Sequence, residues 1–442
     1  MATPALRSRS AGGPALAGPL LRGPVLAWAA LYVNVLGFLG GSVLPIPGAV
    51  GQLLTQAMLF VALVLALLAN PGIVVRPNIF LTLLTIMAVL GLMVSIHNEF
   101  LFGSTYRAVR FILFVLVLWL LTPWWGRSDL PLLRAHLLCQ RIILASVWLG
   151  AVLAPGAAFA AFAVSGRLSG VLWPIPPPQV AHYAAVLFGC TVVLWFCAVV
   201  AGRGTALTLV AAGATLIAAQ TRTALLGLAL GIVVAGASLF LGHARVRRTA
   251  GVALLGSLAA WMLLSPLIVS WLVRGQSAED LTQLTGRTKV WEAIAQQDGT
   301  MMQEMFGSGL TNKSFGGLPI DSTWVATYLE LGRFGVAIVV AFLLILLLAA
   351  VTRPAGPRRA IALFLVVYCL VASFTETGLG DSSPYLLELT VAASLLASPP
   401  RISRLSMLGG PDLSASAATT ARGVDSRSDA TPGRERRGSG SH

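Results

Sequence analysis

The sequence predicts an all-α membrane protein, a polytopic bundle of about twelve transmembrane helices with a large outer loop between spans nine and ten. Three observations predict it. Of 442 residues, 57% are hydrophobic and only 10% charged, against about 25% charged in a soluble average. The apolar residues gather in runs near the roughly 20 residues that a helix needs to cross a bilayer. The basic residues punctuate these runs, which is how membrane topology is written. The net charge of +14 is thus spread out, with no patch for a nucleic acid.

Taken in order, residues 1–24 carry Arg, Pro and Gly and no cleavage-type signal peptide. They read as an inner N-terminal segment ahead of a retained first span. Spans one to nine occupy 25–273, with apolar runs near 25–42, 51–70, 78–96, 108–122, 142–163, 179–201, 205–219, 223–241 and 250–273. Residues 274–323 form the outer loop. Spans ten to twelve follow within 324–398, near 324–351, 360–376 and 384–398. Residues 399–442, rich in Ser, Ala, Gly and Arg without apolar periodicity, read as a disordered inner tail. Cys139, Cys190, Cys197 and Cys369 lie in or beside apolar runs with no metal spacing, and read as small core residues.

An N-terminus inside places fourteen basic residues on inner segments before the tail and nine on the outer side. The acids sort more sharply: outside the tail, only Asp129 falls inside. Both termini are therefore expected in the cytoplasm, and polar chemistry on the outer face. Within the outer loop, "GRTKVWEAIAQQ" (286–297) puts Val290, Trp291 and Ile294 on one helical stripe, the pattern of a helix lying on the membrane surface. "FGSGL" (306–310) and "FGGLP" (315–319) are loop punctuation.

The outer arginines are the candidate chemistry. Arg222, in "AAQTRTALLGLALG" (218–231), sits between spans seven and eight with almost no loop around it. It is either an arginine snorkelling to headgroups or one lining a polar cavity, where a guanidinium fork matches phosphate oxygens. Arg167 in "SGRLSG" and Arg287 in "LTGRTKVW" are flanked by glycine, which lets backbone approach a ligand; solvated loop arginines are the alternative. Arg107 and Arg110, one turn apart in "YRAVRF", either widen the same basic field or mark a helix end. His182 opens span six and reads best as a satisfied helix-end histidine. Glu376 and Asp381, in "SFTETGLGDSSP", are counter-charges for the arginines or plain loop acids. No Asp-x-Asp pair, His/Cys cluster or P-loop is present, so no metal, nucleotide or other cofactor is expected.

The "TRTALLGLALG" span start, the "GRTKVWEA…FGSGL" loop and the "DSTWVATYLELGRFG" re-entry resemble the O-antigen ligase and O-antigen polymerase superfamily. The motifs cover roughly residues 160–350. The resemblance implies a GT-C-like bundle in the bacterial cytoplasmic membrane. It implies a metal-independent, inverting glycosyltransferase of the outer face. The donor partner would be a polyprenyl-diphosphate-linked glycan, the acceptor a hydroxyl on a lipid or another glycan, with membrane lipids around both. Arg222 and Arg287 match the family's diphosphate-binding arginines, and Arg167 the basic residue ahead of span six. The family usually has His, then Asn, nine residues before the acid of a Glu-x-Gly unit. That acid here is Glu330, and Asp321 followed by Ser322 stands at the earlier position. Asp321 is thus the candidate catalytic base, and alternatively a cap for the helix beginning near Thr323. Glu330 is expected to pair with an arginine such as Arg333 or Arg222 rather than to react. Two other readings stand beside the ligase: a repeat-unit polymerase of the same superfamily, and a flippase or transporter of the same lipid-linked glycan.

Overall fold

A computed structural model describes residues 22–38, 46–97, 101–160, 166–273, 291–294, 296, 299–310, 314–315 and 318–399. By contact the chain divides into Met1–Pro400 and Arg401–His442, and the second unit lies outside the described residues. Helices dominate. They are α1 (Arg22–Val35), α2 (Gly48–Ala69), α3 (Ile79–Ser95), α4 (Leu101–Leu120), α5 (Pro131–Leu153), the short α6 (Pro155–Ala160), α7 (Pro177–Phe196), α8 (Arg203–Ala219), α9 (Arg222–Leu239) and α10 (Ala244–Val273). Then come α11 (Met301–Phe306), a two-residue antiparallel ladder (Ser314–Phe315 with Leu318–Pro319), α12 (Thr323–Thr352), α13 (Pro357–Ala372) and α14 (Pro384–Leu396).

Each of the twelve apolar runs carries a helix, and seven helices among the described residues are long and apolar enough to cross a membrane. Three begin well ahead of their apolar runs, α10 among them at Ala244. α4 starts at Leu101, so Arg107 and Arg110 ride inside it, and α5 starts at Pro131, so Arg134 and Arg141 do. Arg107, paired with two carboxylates, does not end its helix, whereas a hydropathy window stops at every arginine.

α13 runs through the middle of the bundle, where Phe364 and Tyr368 lie against Gly189 of α7 and Gly227 and Gly231 of α9. Close approach at small residues is the membrane form of tight packing, since lipid offers no hydrophobic drive between helices. Trp28, Tyr32, Phe80, Phe111 and Phe342 are fully buried around it. One end of the bundle carries α11 and the starts of α7, α9, α12 and α14; it is called the loop end below. The far end carries Trp125, Arg353 and Ser398, and holds a cavity of about 440 Å³ between Arg76, Thr122, Leu346 and Leu396.

α12 is broken. Gly332 has φ 64° and ψ −164° inside an otherwise helical run. In an unbroken helix the carbonyls of Leu329 and Glu330 would accept from residues four further on. Instead Ser308 N–H donates to Leu329 O at 2.9 Å and Gly309 N–H to Glu330 O at 3.0 Å. The loop after α11 thus caps the break. The fit is backbone on backbone: a Cβ on Gly307 would lie 2.3 Å from the Glu330 carbonyl carbon, and one on Gly332 2.4 Å from that of Met305. Leu310 N–H completes the dock by donating to Ser95 Oγ at 3.1 Å. The two quoted motifs "FGSGL" and "YLELG" are therefore halves of one joint.

Gly332→Ala should lower the thermal unfolding midpoint in detergent, since both the positive φ and the absent Cβ are required; strain of this kind costs about 1–3 kcal/mol. Gly356→Ala, where a Cβ meets nothing within 4 Å, should leave the midpoint unchanged.

Candidate functional site

The loop end gathers several of the predicted residues. α8 ends at Ala219, Gln220 takes a left-handed conformation, and Thr221 leads into α9, whose first residue is Arg222. Arg167 clasps this junction from the preceding loop. Its Nε donates to Ala219 O at 3.1 Å and a terminal nitrogen donates to Thr221 Oγ1 at 2.9 Å. Burial pushes the Arg167 guanidinium below its ordinary pKa, and the charge of Glu376 works against that. Next to Arg222, Thr223 shares a 2.7 Å hydroxyl bond with Thr375. Arg167, Arg222, Thr375 and Glu376 are thus neighbours.

The same place receives the start of α12. Thr323 N–H donates to the carbonyls of Ser373 and Glu376, and Thr323 Oγ1 donates to Glu376 O at 2.8 Å. These backbone partners take over the work of a cap. The N-cap residue is Ser322, with no side-chain cap bond, so the capping reading of Asp321 is replaced by this arrangement. Asp321 lies one residue before it, half-buried. Trp291 and Ile294 of the predicted stripe fall in a short helical stretch. Ile294, 6% exposed, packs with Ile320 and Ala326. Trp291 and Ile294 of the stripe therefore pack against the protein near Asp321. Arg287, four residues before Trp291, lies outside the described residues.

Other candidates go elsewhere. Arg107 donates to Glu330 Oε1 at 2.9 Å and to Asp381 Oδ2 at 2.8 Å. Glu330 thus pairs with an arginine as expected, and the partner is Arg107, because the break at Gly332 turns that segment toward α4. Arg107 is matched by two carboxylates and does not widen a basic field. Asp381 is its counter-charge, and also accepts from Ser382 N–H at 2.7 Å. Arg110 reaches Asn34 O at 3.5 Å, too long for a strong bond. Arg333 pairs with Glu304 at 2.7 Å on an exposed surface, where such bridges contribute little. His182 is buried and contacts Glu388, a residue that the sequence reading left unassigned, together with His136. Among the described residues no group of three or more His, Cys, Asp or Glu is arranged to hold a metal ion.

No protein-family model and no curated protein matches the chain.

Removing Arg107 alone strands two buried carboxylates, and breaking a buried pair costs about 3–5 kcal/mol. Arg107→Met should therefore lower the unfolding midpoint sharply. Adding Glu330→Gln and Asp381→Asn to the same chain should recover most of it, which thermal denaturation in detergent would read.

Proposed function

We propose that this chain is a polytopic glycosyltransferase with twelve spans, both termini in the cytoplasm of a bacterium, and the loop end facing outward. It transfers a glycan from a polyprenyl-diphosphate carrier to an acceptor hydroxyl. One observation supports this reading above the others: Arg167 and Arg222 lie together beside the strand of chain that delivers Asp321 to the start of α12. A diphosphate leaving group needs fixed positive charge where its own charge develops. Arg167, clasped to the α8–α9 junction, and Arg222, the first residue of α9, supply that charge. Arg287 is the third donor in this scheme, on the segment whose continuation packs against Ile320.

In the reaction Asp321 accepts the proton of the acceptor hydroxyl as that oxygen bonds to the anomeric carbon. The bond from that carbon to the diphosphate oxygen breaks on the opposite face, and the configuration inverts. The diphosphate leaves as an anion held by the arginines. Glu376 balances Arg167 and keeps the cluster from binding indiscriminately. No metal takes part in this scheme. A ligase uses a foreign lipid or glycan as acceptor, and a polymerase uses another carrier-linked repeat.

The test is turnover of a purified lipid-diphosphate glycan in nanodiscs. Loss of one charge-stabilising donor in Arg222→Ala should slow transfer by about 10²–10³-fold. Asp321→Asn should slow it by about 10²–10⁴-fold. Wild-type turnover in both variants would overturn the proposal, provided each unfolds at the wild-type temperature.

A further inference from the structure

Deep in the bundle, a carboxylate lies between two imidazoles. Glu388, on α14, has an Oε2 2.5 Å from His136 Nε2 and an Oε1 3.3 Å from His182 Nε2. The side chains of Glu388 and His136 have no exposure, and that of His182 has 2%. Every element around them adds a polar contact. From α1, the Tyr32 hydroxyl bonds the His136 ring at 3.0 Å. From α5, Gln140 donates to Glu388 at 3.3 Å. From α13, the Tyr368 hydroxyl lies 3.1 Å from His182 Nδ1. Tyr385, on α14 itself, sets its ring against His182, centroids 4.4 Å apart, and Tyr183 of α7 packs against both Tyr32 and His182. The Cys369 thiol donates to Tyr385 O at 3.7 Å, and Cys139 and Cys190 are buried in the same core.

Charge counting limits what this array can hold. With both rings neutral it is a bare anion in a low-dielectric interior, and with both protonated it is a net cation. One excess proton makes it neutral, which desolvation favours strongly. Two rings compete for that proton, and the carboxylate touches both. We propose that the His136–Glu388–His182 array is a buried proton-exchange site, with one proton and two stations, set apart from the glycan chemistry of the arginine cluster.

The exchange needs no other reactant. His136 and Glu388 lie in contact without an aligned hydrogen bond; once a small ring rotation aligns them, the His136 Nε2–H bond breaks as the proton passes to Glu388 Oε2. The carboxylic acid turns about its Cγ–Cδ bond, and the proton passes to His182 Nε2, regenerating the carboxylate. The stations sit on helices entering from opposite ends of the bundle, His136 as the sixth residue of α5 and His182 as the sixth of α7. Tyr368 is the outward neighbour of His182, and the charge of Glu376 at the loop end bears on both Tyr368 and Tyr385. Ionisable groups inside membrane proteins are otherwise rare and mark proton paths.

The experiment is nitrogen-15 NMR of the histidine rings of the full chain in nanodiscs, from about pH 5 to about pH 8, where histidine titrates. Only five histidines are present, and single His→Gln variants assign them. The expected result is two buried rings sharing one imidazolium, with averaged signals that move little over this range. Glu388→Gln removes the carboxylate that links the rings and should abolish the sharing, leaving two separate, unaveraged ring signals. Tyr368→Phe should leave the sharing intact and slow exchange of the His182 ring proton with solvent. Wild-type rings that are both fixed neutral, or one fixed charged and one fixed neutral, across the range would overturn the proposal, and so would unchanged solvent exchange in Tyr368→Phe. The wild-type spectrum is decisive even if Glu388→Gln does not fold.

Discussion

A charge or a bare carbonyl inside hydrocarbon has no water to turn to, and the described structure is arranged around that constraint. The break in α12 frees two carbonyls, and a glycine loop from outside the helix covers them. Arg107 enters α4 with two carboxylates waiting for it. Glu388 sits between two imidazoles. Each solution recruits a partner from a distant part of the chain, so the polar contacts determine which helices meet as much as the apolar ones do.

This division of labour separates two kinds of arginine at the loop end. Arg107 is held by Glu330 and Asp381 and serves to tie α4, α12 and the chain before α14 together. Arg167 is held by the Ala219 carbonyl and the Thr221 hydroxyl, with the charge of Glu376 alongside. Neutral partners orient a guanidinium while leaving its charge to act on something else. The same logic explains why Asp321 precedes the cap rather than forming it. Its segment is tied down by Ser373 and Glu376 carbonyls, which leaves the carboxylate's place in the chain to be set by other needs.

The helices were legible because apolar runs of membrane length leave few alternatives. Their ends were less so, since a window that stops at arginine cannot know that Arg107 has partners over two hundred residues away. The motifs around Gly307 and Gly332 were visible as punctuation, yet nothing in either alone says that they interlock. Both need the other's missing Cβ. The Glu388 array was the largest omission. An acid in "PYLLELTVAAS" stands out against its neighbours, but it was grouped with the outer acids because it lies only five residues into its helix. His136 was hidden among inner-face arginines. The signal available was an ionisable residue within an apolar run, weighed by depth rather than by side.

The break at Gly332 also bears on biogenesis. The stretch from Arg333 to Thr352 is about 30 Å long at 1.5 Å per residue, enough to be threaded into lipid by itself. The piece from Thr323 to Leu331 is too short for that. A translocon would recognise the longer piece as a stop signal and leave the shorter one in the aqueous vestibule. Its place then depends on the glycine loop after α11, which caps the break at Leu329 and Glu330.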